Sequence, residues 1–130
     1  MHPDYFETRF KLSLPAKDLP DDFAIVPAYQ TTGKEWPIER NQEATYQLQA
    51  ELEQRGGLVG TVTGYSPRTG HAEPGFAARL SFEHACDLGL RFEQDAIYFV
   101  SGGTLFVSLC DHRRALTPVT RLLDRVDAPS

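Results

Sequence analysis

Residues 6–14, Phe-Glu-Thr-Arg-Phe-Lys-Leu-Ser-Leu, set Phe6, Thr8, Phe10, Leu12 and Leu14 against Glu7, Arg9, Lys11 and Ser13 in strict alternation. A period of two predicts a half-buried strand. Two prolines and a cluster of acidic residues between 15 and 22 end it. Residues 23–29, Phe-Ala-Ile-Val-Pro-Ala-Tyr, are apolar enough for a strand buried on both faces. Pro27 has no N–H to give a ladder, so it marks an edge, a bulge or the strand's end. Then the period changes. Asn41, Thr45, Leu48 and Leu52 recur at spacings of four, three and four, one face of a helix over 38–55. Pro37 suits its start and Gly56-Gly57 its left-handed stop.

The second half repeats this grammar. Residues 58–65 are rich in β-branched side chains and predict a strand. Residues 66–75, Ser-Pro-Arg-Thr-Gly-His-Ala-Glu-Pro-Gly, carry the residues of a turn or exposed loop. A short alternating strand is expected at 76–80, then a helix over 82–92 capped by Ser81. Its inner face would be Phe82, Ala85, Cys86, Gly89 and Phe92. Residues 96–100 and 104–110 read as two strands of a hairpin turning at Ser-Gly-Gly. A last helix is expected at about 117–126, with Val119, Leu122, Leu123 and Val126 inward.

No internal repeat interrupts this order. It predicts an α+β fold: an antiparallel-dominated sheet with helices on one face, built on a ferredoxin-like β-α-β-β-α-β core. An N-terminal strand and a C-terminal strand and helix are added to that core. The expected organisation is a single domain, 1–130, with its core at 23–110. Following chain direction, strand 23–29 ends at the pole where helix 38–55 starts, where strand 58–65 finishes and where residue 94 stands. Tyr29, Arg40, Asn41, Tyr65, His71, Glu73, Gln94 and His112 are thereby brought to one pole. The opposite pole collects glycine turns.

Composition narrows the classes of partner. Thirteen Lys and Arg against eighteen Asp and Glu leave a net charge of −5, which disfavours nucleic acid, whose non-specific binding rests on phosphate contacts. The longest apolar runs fall well short of the ~20 residues of a membrane-spanning helix. The N-terminus lacks the basic start and apolar block of a secretory signal. Two cysteines, Cys86 and Cys110, make neither a disulfide framework nor a four-ligand zinc site. A cytoplasmic protein, monomer or homodimer, is expected.

Candidate chemistry sits at the polar pole. Asn41 continues an apolar helix stripe, so it is expected to point inward, and a buried amide needs partners. Glu73 or Gln94 could supply them, as a hydrogen-bond clamp or as a ligand site. Burial beside Phe76, Tyr65 and Trp36 would raise the proton affinity of Glu73 and suit it to general acid or base work. His71 and Glu73, two apart on a loop, are not a metal site even if Asp111 and His112 join them, and no nucleophilic elbow or phosphate loop is present.

At these residues the chain resembles the bacterial domain of unknown function 3293 family, over most of 5–110. Tyr5 and Thr8 match a Tyr and a Thr three apart, and Val-Pro-Ala-Tyr-Gln-Thr loosely matches a strand ending in Thr-Ala-aromatic-Asn-Pro. Asn41, Glu73 and the stretch Phe-Glu-Gln-Asp-Ala match an Asn, a Glu and an aromatic–x–Gln–x–Ala. Pro27 replaces the family's Thr and Gln30 its Asn. The resemblance names no reaction.

The expectation carried forward is a non-enzymatic binding module for a partner protein or polar small molecule, with no cofactor. Its site would be Tyr29, Arg40, Asn41, Tyr65, Glu73 and Gln94. Two alternatives stand beside it: an enzyme using Glu73 as acid or base, and an assembly domain pairing through the edge strand 104–110.

Overall fold

All seven strands among the described residues join one sheet, and such a sheet has two faces to hide. The computed structural model describes residues 3–31, 34–111 and 114–127. Its strands are β1 (Arg9–Leu12), β2 (Asp22–Pro27), β3 (Leu58–Tyr65), β4 (Ala72–Ala78), β5 (Ala96–Ser101), β6 (Thr104–Leu109) and β7 (Thr117–Arg121). The helices are α1 (Ile38–Arg55) and α2 (Phe82–Arg91). The order across the sheet is β1-β3-β4-β2-β5-β6-β7, and every ladder is antiparallel.

Alternation assigns each central residue to a face. On β2, Ala24 and Val26 point toward the helices, packing with Leu48 and Leu52 of α1 and Ala85, Cys86 and Leu88 of α2. Phe23 and Ile25 point the other way. Fully burying one such side chain stabilises the fold by roughly 1.5–3 kcal/mol, so an apolar run buried on both faces belongs in the sheet's middle. Pro27 closes β2 as its last residue, the least costly position for it.

Among the described residues no α-helix covers the second face, so the sheet curls over it. Phe10 of β1 forms a bridge with Val126, just beyond β7: its N–H donates to Arg125 O at 2.8 Å, and Asp127 N–H donates to Phe10 O at 3.0 Å. The two ends of the sheet meet there. Inside lie Phe10, Val62, Ala77, Val100, Leu105 and Val107. Phe10 meets Tyr98 edge-on, with ring centroids 5.1 Å apart.

Helix boundaries follow the local chemistry. Gly56, at φ 73°, caps α1 in the left-handed conformation. Pro37 stands at the N-cap, one position earlier than a first-turn proline. The Ser81 hydroxyl accepts from His84 N–H at 3.1 Å and starts α2.

Four sequence-based expectations need correction. Residues 3–6 form a 3-10 helix, so the strand expected at 6–14 contracts to β1. Residues 72–75, expected as loop, belong to β4, because the far half of β3 takes them as partners from Val62↔Gly75 to Tyr65↔Ala72. Pro74 is tolerated there, as the β2 ladder reaches only to Gly75. The terminal helix is absent: Thr117–Arg121 is a strand on β6, followed by the 3-10 helix Leu122–Asp124. Thr, Pro and Val favour the extended edge, and a register shift between Leu105 and Phe106 accommodates Pro118. Leu122 is buried but Leu123 is 71% exposed. The edge expected at 104–110 is consequently not free along 104–107, where β7 covers it.

Gly89 shows how closely α2 lies on the sheet. A Cβ there would come within 2.5 Å of Cys110 Sγ and 2.9 Å of Ile97 Cγ2. Gly89→Ala is expected to lower stability by about 1–3 kcal/mol through overpacking, read as a reduced urea midpoint. An unchanged midpoint would contradict this packing.

Candidate functional site

The ladders set the geometry of the polar pole. Arg9↔Tyr65, Tyr65↔Ala72, Pro27↔Gly75 and Ala96↔Leu109 align the start of β1, the ends of β2 and β3, and the starts of β4 and β5 at one end of the sheet. His112, expected at this pole, lies outside the described residues. Within the pole, the pleat divides the expected site. Phe76 and Ala78 of β4 face the helices and Ala77 faces the curl. Pro74 therefore stands on the helix side and Glu73 on the curl side.

On the helix side, Asn41 is buried and fully engaged, but not with Glu73 or Gln94. Its Oδ1 accepts from Gln30 N–H at 2.9 Å, and its Nδ2 donates to Gln30 Oε1 at 3.1 Å. Trp36 N–H donates to the same Gln30 oxygen at 3.0 Å. A clamp exists, then, between the helix start and the loop following β2. Thr45 adds a second tie, its hydroxyl donating to Ala28 O at 3.1 Å. Gln94 turns back on its own loop, with Nε2 donating to Phe92 O at 2.8 Å. Arg40 stacks on Trp36 at 3.8 Å and pairs with Glu93 at 2.6 Å. Trp36 thus covers Arg40 and not, as expected, Glu73. Tyr29 lines an open groove of about 460 Å³ with Asn41, Ile38, Tyr46 and Pro74.

On the curl side, Glu73 and Tyr65 line a separate crevice of about 20 Å³ with Asp4, Tyr5, Thr8, Ser66 and His71. Most of these groups are already paired. The Tyr5 hydroxyl donates to Asp95 Oδ2 at 3.1 Å. The Tyr98 hydroxyl lies 2.8 Å from both Tyr5 O and Thr8 Oγ1, and Thr8 donates to Asp4 O at 3.0 Å. Arg68 pairs with Asp4 at 2.6 Å. Tyr65 donates to Asp127 Oδ2 at 2.6 Å, and Arg9 Nε donates to Asp127 Oδ1 at 2.9 Å. Those two partners hold the Asp127 carboxyl below the usual carboxylate range, and they lie beside the closing bridge of the sheet.

Glu73 is the exception. Its side chain is only 23% exposed, yet among the described residues it takes no hydrogen bond. Its nearest basic group among the described residues is His71, Nε2 to Oε1 at 3.8 Å, and that nitrogen is itself buried without a hydrogen-bond partner. Burial, then the nearby Asp95 carboxylate, push the Glu73 carboxyl up to about 7. Burial likewise raises the Tyr98 phenol, and burial together with Asp95 raises that of Tyr5.

The periodic analysis missed Asp4, Asp95 and Tyr98 here. Alternation along 96–100 carried the signal for Tyr98, which shares a face with Ala96 and Val100. Tyr5 entered only through the family resemblance, and Thr8 through it and the alternation of residues 6–14. Among the described residues no group of three or more His, Cys, Asp or Glu is arranged to hold a metal ion, and no helix is long and apolar enough to cross a membrane.

Two outcomes follow from this division. Asn41→Ala leaves the Gln30 N–H and amide without their partner, and should cost about 1–3 kcal/mol in urea unfolding; a loss within the scatter of surface substitutions would mean the clamp is not needed. For Glu73 the folded carboxyl binds its proton more tightly than the unfolded one, so its contribution to stability falls as pH rises from 4.5 through about 7. Glu73→Gln should therefore gain on the parent between pH 5 and pH 8 by on the order of 2–3 kcal/mol. Parallel stability–pH curves for the two proteins would refute it.

Comparison with known proteins agrees with this core and adds no activity. Residues 26–97 match the family model described as Protein of unknown function (DUF3293). No curated protein and no solved structure matches the chain. The matched segment runs from β2 through both helices into β5 and takes in Asn41, Tyr65, Glu73, Gln94 and Asp95. Since it covers more than half of the 130 residues, the chain belongs to the domain of unknown function 3293 family.

Proposed function

We propose that this chain is a binding module for a polar small molecule, received in the crevice around Glu73. One observation carries the reading: a mostly buried carboxyl with no hydrogen bond faces a buried imidazole nitrogen that has none either. Unpaired buried polar groups cost roughly 1–3 kcal/mol each, a cost that a ligand's complementary groups would recover. The neighbouring phenols are each held, Tyr65 by Asp127, Tyr5 by Asp95 and Tyr98 by Tyr5 O, which gives the crevice the fixed walls that recognition requires.

The split β-α-β-β-α-β reading of the core as ferredoxin-like belongs to the same proposal, supported by the neighbour order β3-β4-β2-β5. A cytoplasmic setting is supported by two free cysteines, Cys86 and Cys110. The second reading, an enzyme with Glu73 as general acid or base, is favoured by the same carboxyl titrating near 7, where both protonation states are available at neutral pH. A binding module is preferred because the unpaired groups beside Glu73 leave room for only about 20 Å³, a pocket that receives a polar group more readily than a reacting bond.

A thermal-shift screen of polar metabolites tests the proposal. Ligand binding to the native state raises the melting temperature. The expected result is a hit whose effect disappears in Glu73→Gln and persists in Arg40→Ala. A hit insensitive to Glu73, or one converted to product on incubation, would overturn the binding-module reading.

A further inference from the structure

We infer that the ligand enters the Glu73 crevice through a primary ammonium group, an inference that rests on the binding-module reading above. The first argument is a count of donors and acceptors. The hydroxyl protons of Tyr5, Tyr65 and Tyr98 already go to Asp95, Asp127 and the Tyr5–Thr8 pair, and that of Thr8 goes to Asp4 O. The Ser66 hydroxyl accepts from Thr69 N–H at 3.2 Å. Ser66 keeps its own proton to give, but the wall groups without any hydrogen bond are acceptors: the Glu73 carboxylate and, with the ring proton on Nδ1, His71 Nε2. A visiting group must bring N–H or O–H bonds.

Charge is the second argument. Asp4 and Glu73 line the crevice and Asp95 lies near Glu73, while the neighbouring guanidiniums are spent, Arg68 on Asp4 and Arg9 on Asp127. A cation recovers Coulomb energy there that a neutral hydroxyl does not, and an anion would be repelled. Size is the third argument. About 20 Å³ admits one water-sized group, since a single water needs roughly 10–15 Å³. An ammonium is of that size and carries three donors, whereas a planar guanidinium is several times larger. His71 and Glu73, at alternate positions leading into and along β4, would receive two of those donors. The remainder of the molecule would lie toward the open end of the crevice.

The probes are n-butylammonium, n-butylguanidinium, n-butanol and butyrate, titrated into isotope-labelled full-length protein and followed by backbone amide shifts. The expected result is saturable shifts at residues 64–66 and 71–73 with butylammonium. Binding should be at least about tenfold weaker for butanol and butylguanidinium, the loss of one buried charged contact. Butyrate should leave those amides unmoved. In Glu73→Gln the butylammonium affinity should drop about tenfold or more, on the same scale. If that variant fails to fold, Glu73→Asp serves instead, keeping the charge but withdrawing it, with an intermediate loss. Equal binding of alcohol or guanidinium, or an unchanged affinity in the variant, sinks the ammonium assignment. If the metabolite screen yields a neutral or anionic ligand that moves these same amides, this inference fails while the binding-module reading stands. If no compound of any charge moves them, both fail.

Discussion

A sheet with apolar residues on both faces and helices on only one must cover the other face with itself. That constraint organises this protein. The curl is secured where β1 meets the chain beyond β7, through the Phe10–Val126 bridge and the Asp127 carboxyl held by Arg9 and Tyr65. Phe10 then fills the interior against Tyr98. Without the closing contact, Phe10, Val62 and Leu105 would be left facing water.

The curl creates two chemically distinct compartments at one pole. Toward the helices, amides satisfy amides: Asn41, Gln30 and Trp36 form a closed set that fixes the start of α1. Toward the interior, phenols and carboxylates form a second set, in which Glu73, beside the unpaired His71 Nε2, takes no hydrogen bond among the described residues. Adjacent residues of β4 look into different compartments because successive side chains of a strand point to opposite faces. A single-residue slip in the β3–β4 register would move Glu73 to the helix side and remove the crevice. The N-terminal 3-10 helix supplies the missing wall, bringing Asp4 and Tyr5 over the mouth of the curl.

Local pattern was enough to find α1, α2, β3, β5 and β6, because each rests on a period or a cap within its own residues. It also located the polar pole, since chain direction and crossover geometry suffice for that. The strand at 117–121 was not legible as such: Thr-Pro-Val-Thr fits a helix start as well as an extended edge, and the open side of β6 decided between them. Likewise His-Ala-Glu-Pro-Gly has turn composition, yet the unpaired half of β3 drew it into a ladder.

The candidate site divides along the same line. By itself the sequence determined that Asn41 faces inward and that Glu73 stands at the pole with Tyr65. Only the tertiary structure decided that Asn41 spends itself on Gln30 and that Glu73 lies across the sheet from it, among Tyr5, Tyr98 and Asp95. The physical reason is that a periodic pattern says which residues share a face of one element. Which face meets which, and what a buried carboxyl finds there, depends on ladders and a closure joining residues as far as 118 positions apart.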